Sequence, residues 1–423
     1  MTDKRKTTTA AVAALSATAL ILTGCAAGGG GGSDDNVLRI AMGSPGEAQI
    51  RVWDDVAAQF EAANPDVTVE MNYQDDDLYQ TIGLPNLLNG RNAPDIYFEW
   101  AGARLEQRAA DGFAADLTAA VTTGPIAGLF DENVFTSLTV DGAVVMVPHA
   151  SDVANVLWYN EDIFADAGLT PPTNWDELLA TCDALNAEGI IPIASGNKDL
   201  WAAGNWLAHM TSRVVGEEAY SAALSGDSDF NTPEWVEAFG YVKDLADHKC
   251  VNESANAVDD NEGAQLFFQG KAAMHAIGSW LVSWAIDEAP DLNFDYVNLP
   301  SMPGAGNQDS VIGVVTGYVV NAKSSKQDLA AEFLALLNSD ENVQAFIGAE
   351  LTPMALSASS GDEIDSRSAG LINMLETAPA IVLPPDTGYD LETANALYAA
   401  LAEVLGGQST PEDAVAGIDQ KLG

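Results

Sequence analysis

The spacing of apolar positions changes repeatedly along the first hundred residues. Val37-Leu38-Arg39-Ile40-Ala41-Met42 is a nearly unbroken apolar run, closed by a Gly-Ser-Pro-Gly turn at 43–46, and reads as a buried strand. From Glu47 to Asn64 the apolar residues Ile50, Trp53, Val56, Ala57 and Phe60 share one helical face, and Pro65 ends the pattern. Val67–Met71 reads as a second strand, 78–88 as a second helix, and Pro94–Phe98 as a third strand. A β-α-β-α-β run predicts a parallel sheet covered by helices, with binding residues on loops at the carboxyl ends of its strands.

The middle of the chain is mixed. Val140-Asp141-Gly142-Ala143 predicts a hairpin turn. Val153–Tyr159 reads as a strand, after which Asn160 caps a short helix. Asn174-Trp175-Asp176-Glu177 has the spacing of a capping box before a helix to Ala187. Further helices are expected at 202–215, 233–247, 262–269, 327–338, 391–405 and 411–421.

The N-terminus has another character. Lys4-Arg5-Lys6 precedes a small and apolar run from Ala10 to Leu22, too short to span a bilayer as a helix, and the run reads as a signal peptide. Leu22-Thr23-Gly24-Cys25 resembles the bacterial lipobox. That resemblance implies removal of residues 1–24, lipidation of Cys25 and anchoring at the extracellular face of the cell membrane. Residues 25–36, with five glycines at 28–32, would form a flexible tether. Removing residues 1–24 takes away three bases and one acid, moving the net charge from −45 to about −47. Such a surface repels nucleic acid and anionic headgroups. With Cys25 assigned to the anchor, Cys182 and Cys250 remain as an even pair, which outside the cytoplasm predicts a disulfide; two buried free thiols are the alternative.

Six segments in order resemble the extracellular solute-binding proteins of sugar ABC transporters, the group that includes maltose-binding protein. They are PDIYFEWAGARLEQRAADGFAADLT (94–118), VPHASDVANVLWYNEDIFADAGL (147–169), NWDELLATCDALNAEGIIPIA (174–194), LFFQGKAAMHAIGSW (266–280), FDYVNLPSMPG (294–304) and LAAEFLALLNSDENVQAF (329–346). The resemblance implies two α/β lobes of the periplasmic-binding-protein type, with the ligand cleft between them and hinge crossovers near 147–152, 298–300 and 337–339. Lobe one would comprise 37–148 plus 300–338, and lobe two 150–298 plus 339–423. The partners it implies are a carbohydrate and the membrane subunits of an ABC permease, with the binding protein itself a monomer.

A neutral sugar presents hydroxyls and C–H ring faces, so its site needs fixed carboxylates or amides beside flat aromatics. The candidates at loops matching the family's contact regions are Gln74 and Asp76 after the second strand, Glu99 and Trp100 ending the third, and Asp152 at the first crossover. Trp201 opens a later helix, Trp280 follows Gly278-Ser279, and Asp386 and Tyr389 lie in a late aromatic loop. Gly313 and the run Thr316-Gly317-Tyr318, with Thr316 and Gly317 foremost, are candidates on lobe one. Trp53, Trp158, Trp175, Trp206, Trp235 and Trp284 suit core or capping roles.

Catalytic and metal chemistry find no support. The chain has no G-x-S-x-G, H-E-x-x-H, P-loop or G-x-G-x-x-G motif, and its four histidines are scattered. Asp259–Gly263 lacks the full calcium-loop pattern. The sequence therefore predicts a non-enzymatic receptor without cofactor or metal, and its several aromatic candidates point to an oligosaccharide. Two rivals stay open. Carboxylate-plus-aromatic sites also hold polyamines or other organic cations, and paired acids could serve a surface-anchored glycosidase.

Overall fold

The structure, a computed structural model, describes residues 36–349, 354–355 and 365–423. The signal peptide, Cys25 and the tether up to residue 35 lie outside the described residues. Twelve strands are described: β1 (Val37–Gly43), β2 (Thr68–Gln74), β3 (Ile96–Trp100), β4 (Thr139–Val140), β5 (Ala143–Val144), β6 (Val147–Val153), β7 (Val156–Asn160), β8 (Ile191–Ala194), β9 (Ala272–Ile277), β10 (Phe294–Val297), β11 (Val311–Val320) and β12 (Ile381–Val382). They form two main sheets and the short β4–β5 hairpin, whose turn places Asp141 and Gly142 at positive φ.

The first sheet runs β12-β11-β3-β1-β2, with β6 also paired to β11. β1 is parallel to β2 and to β3, as the alternating pattern predicted, whereas β11 is antiparallel to β3 and β6. The second sheet runs β10-β7-β9-β8. Helices cover both, giving the two-lobe α/β fold. The Glu47–Ala63 helix buries Trp53, Val56 and Phe60 against the first sheet. The second lobe gathers Leu157, Trp206, Phe239, Leu397 and Leu401 into one core.

Local sequence signals act as read. Asn160 accepts from the Ile163 amide, and Asn174 from the Glu177 amide. The Glu177 carboxylate binds the amide and hydroxyl of Thr173 instead of completing the box on Asn174. Cys182 and Cys250 are disulfide-bonded, tying the Trp175–Ala187 helix to the segment after the Pro233–Asp247 helix.

Two connections between the sheets are described in full. The first is residues 154–155 between β6 and β7, and the second is residues 298–310 between β10 and β11. The third departs from the reading at 337–339. The Asp340–Gly348 helix still packs in the first-sheet core, through Val343, Phe346 and Ile347, beside Trp53 and Phe333. The Ser366–Thr377 helix is the next described element to pack on the second lobe, through Leu371. The first-lobe core thus continues past 339, because the apolar face of 340–348 is complementary to that lobe's helices, and Met354 and Ala355 still pack there.

Candidate functional site

A cavity of about 500 Å³ lies between the lobes, at the carboxyl ends of β1, β2, β3 and β9. This is where α/β sheets place their ligands. One wall comes from the first lobe. Asp76 follows β2, and its carboxyl sits against Gly43; a Cβ added at Gly43 would lie 2.2 Å from Asp76 Oδ1. Gln80 Nε2 donates to Asp76 Oδ2 at 2.5 Å. Arg104 donates to the Gln80 carbonyl at 3.0 Å and lies 4.6 Å over the Trp100 ring. Burial raises the Asp76 pKa, with Gln80 and Arg104 opposing and Asp75 and Asp386 adding to the rise.

The second lobe supplies the aromatic wall. Trp201 and Trp280 line the cavity with ring centroids 6.1 Å apart, and Trp284 lies one helical turn beyond Trp280. Gly278 makes room for this arrangement: a Cβ there would lie 2.0 Å from Trp280 Cζ3. Asp386 also faces the cavity. It is 6% exposed, and its Oδ1 has no hydrogen-bond partner among the described residues. Burial raises its pKa, while Arg104 on the opposite lobe pulls it down.

Asp152 stands at the end of β6, where the lobes join, and accepts from Ser279 Oγ of the second lobe at 2.8 Å. Burial pushes its pKa up to about 6, and the serine only partly offsets that. His149 is buried beside it in the lining and is pulled down to about 3, so it is neutral. Among the described lining residues are seven carboxylates (Glu47, Asp75, Asp76, Asp152, Asp260, Glu288 and Asp386) and no lysine or arginine.

The rim is bridged. Asp287 of the second lobe accepts from the Ala48 amide at 3.1 Å and lies 3.5 Å from the Arg51 guanidinium, both of the first. On another side Gly102, at φ +107°, packs so closely that a Cβ would lie 2.5 Å from the Thr387 carbonyl.

Asp76, Trp100, Asp152, Trp201, Trp280, Thr316, Tyr318 and Asp386 thus meet in one cavity, while five other candidates do not. Glu99 is fully buried behind the wall and is paired with Arg104 (3.4 Å) and Arg108 (2.8 Å). Side chains alternate along a strand, so Phe98 and Trp100 face the cavity and Glu99 must face away. The same alternation on β11 turns Thr316 and Tyr318 inward and Gly317 toward β6, where a Cβ would lie 2.3 Å from the Val147 carbonyl. Gln74 is directed at Gly83, behind the Asp75–Gln80 turn. Tyr389 packs edge-on against Tyr220 in the second lobe's core. Gly313 packs under Leu375 and Ile381.

Several lining residues escaped the sequence reading. Trp284 and Asn205 stand four residues after Trp280 and Trp201, a spacing that marks one helix face and could have found them. Trp53 is 1% exposed and belongs to the first core, yet its edge reaches the cavity. Asp260 follows the N-cap Asp259, which forms a capping box with Glu262 in the segment with a partial calcium-loop pattern. No group of three or more potential metal ligands occurs among the described residues. Nor is any helix there long and apolar enough to cross a membrane.

Comparison with known proteins agrees with this architecture. The chain is 28% identical over 195 residues to an ABC transporter extracellular-binding protein of Pyrococcus horikoshii, a match spanning 46% of this chain and 43% of that one. A solved structure concerned with xylan utilisation by Caldanaerobius polysaccharolyticus superposes with a TM-score of 0.83 at 23% identity, covering 92% of this chain and 100% of that one. A chitin oligosaccharide binding protein superposes with a TM-score of 0.81, also at 23% identity and with the same coverage. The family pattern of bacterial extracellular solute-binding proteins matches residues 45–344, and the chain belongs to that family.

Proposed function

We propose that this protein captures a neutral oligosaccharide outside the cell and hands it, unaltered, to the membrane subunits of an ABC importer. The observation that carries the reading is the lining itself: tryptophans and carboxylates from both lobes converge on a cavity of about 500 Å³. Indole faces stack on C–H surfaces, and carboxylates accept from hydroxyl groups. Such a volume falls in the range that encloses most of a drug-sized ligand. A lining with seven carboxylates and no basic side chain disfavours uronates, sulfated sugars and sugar phosphates. The same charge supports a second reading, an organic cation held between Asp76, Asp386 and the tryptophans.

A thermal-shift screen of xylo-, chito- and malto-oligosaccharides beside spermidine and putrescine separates the two. A true ligand at 100 times its dissociation constant stabilises the protein by about 2.7 kcal/mol. A response to polyamines alone would replace the saccharide reading. In the same proposal the protein acts as a monomer tethered through lipidated Cys25. Cys25→Ser should then move it from the membrane fraction to the medium or leave it unprocessed, and unchanged detergent-dependent retention would place the anchor elsewhere.

A further inference from the structure

The Trp201–Val215 helix carries Trp201, Asn205, His209 and Arg213 at intervals of four, which places them in one stripe along its length. The first two line the cavity. The other two are fully buried and reach the connections between the lobes. His209 Nδ1 lies 3.3 Å from Asn155 Oδ1, in the first connection, and Nε2 lies 3.2 Å from Ser310 Oγ, at the end of the second. Arg213 donates to the Leu299 carbonyl at 2.6 Å and the Asn298 side-chain oxygen at 2.9 Å. It also donates to the Ser310 carbonyl at 2.8 Å. One guanidinium thus holds both ends of the 298–310 connection.

Packing alone does not account for this pair. A buried guanidinium is costly, and no carboxylate forms an ion pair with Arg213 among the described residues. Burial pulls its pKa down to about 10, with Asp309 and Glu217 opposing through space, so it is charged at neutral pH. What arginine offers here is a rigid fork of donors that grips several carbonyls at once.

We propose that His209 and Arg213 are positioning residues that couple occupancy of the cavity to the geometry of both inter-lobe connections. The helix acts as the rod between them. This rests on the reading that a ligand sits against Trp201 and Asn205. Movement of the first turn by a ligand is carried to the other end of the stripe, from which both connections hang. Coupling of this kind is reciprocal, so loosening the far end must weaken capture at the near end.

The test uses the full chain in detergent, spin-labelled at Asp66→Cys and Glu237→Cys, exposed positions on the first and second lobes. Electron–electron resonance distances are recorded without ligand and with xylotriose, chitotriose and maltotriose. Arg213→Gln and His209→Leu should each shift or broaden the ligand-free inter-lobe distribution. Affinity for whichever trisaccharide binds the unmutated chain should fall about tenfold, within the usual range of site-to-site coupling. Arg213→Lys, which can reach one carbonyl at a time, should fall between. Phe239→Leu, in the second lobe's core, lowers stability but should leave the distribution unmoved. Should Arg213→Gln not fold, His209→Leu and Arg213→Lys decide. Variant distributions that superpose on the unmutated one would overturn the proposal. The ligand-free arm decides it even if no trisaccharide binds, an outcome that would count against the saccharide reading alone.

Discussion

The two walls of the cleft are fixed by different means. On the first lobe, polar groups are fixed by other polar groups. Glu99 holds Arg104 and Arg108, Arg104 holds Gln80, and Gln80 holds Asp76. On the second lobe, the tryptophans are placed by backbone shape, with Gly278 leaving space for the Trp280 ring. A chain of hydrogen bonds fails when any link is cut, whereas a stacking surface loses only the ring removed. The first wall should therefore be sensitive in stability and the second in affinity.

The largest effect should come from cutting the polar chain at its buried end. Glu99→Gln removes the fully buried negative partner of two partly buried guanidinium groups, and loss of one partner of a buried pair typically costs about 3–5 kcal/mol. Urea unfolding measures it. A loss below about 1 kcal/mol would mean that Arg104 and Arg108 are solvated well enough to need no partner. On the opposite wall, Trp280→Ala should lower affinity by about 2 kcal/mol, near thirtyfold, as for truncation of a hot-spot aromatic. The free protein should lose less than the roughly 3–5 kcal/mol typical of a deleted core tryptophan. Normal binding with a large loss of stability would reverse the contrast between the walls.

Asp152 sharpens the comparison, because it joins both lobes. Its folded pKa of about 6 exceeds the ordinary value, so its contribution to free-protein stability is fully present below about pH 4 and lost as pH rises through 6. Ligand hydroxyls bind the ionised form more strongly than the protonated one, so binding should weaken as pH falls. Between pH 7 and 5 the dissociation constant should rise about tenfold, and Asp152→Asn should flatten that profile. A profile unchanged in the asparagine variant would assign the pH dependence to another carboxylate. The smallest effect belongs to the rim. Asp287→Ala removes an exposed link from Arg51 and the Ala48 amide, worth about 1 kcal/mol or less in affinity. A larger loss would make rim closure, and not the walls, the main source of binding.

Which parts of this were legible in the sequence follows from the range of the forces involved. Helix ends and parallel strands were readable because caps, prolines and periodicity act within a few residues, as at Asn160, Asn174 and Pro65. Trp280 was readable because Gly278 and Ser279 stand beside it. Glu99 and Gly317 were misplaced by a single residue. The loops were right, but a strand's two faces differ only by phase, and the sequence did not settle which face met the cleft. Trp53 and Tyr389 show a longer-range difficulty. Both are aromatic and sit near loops, and only tertiary packing decides that Trp53 reaches the cavity while Tyr389 turns to Tyr220. The packing of 340–348 on the first lobe escapes the sequence for the same reason, since partners such as Trp53 lie far away in the chain.

Everything proposed for the cleft depends on its holding a neutral saccharide and returning it unchanged. Isothermal titration of the purified protein with the oligosaccharide selected by thermal shift, followed by chromatography of the ligand recovered on denaturation, tests it most directly. One site per chain is expected, abolished or strongly weakened by Trp280→Ala, with the ligand recovered intact and in full. Shortened saccharide in the recovered material, or heat with spermidine and none with any saccharide, would contradict it.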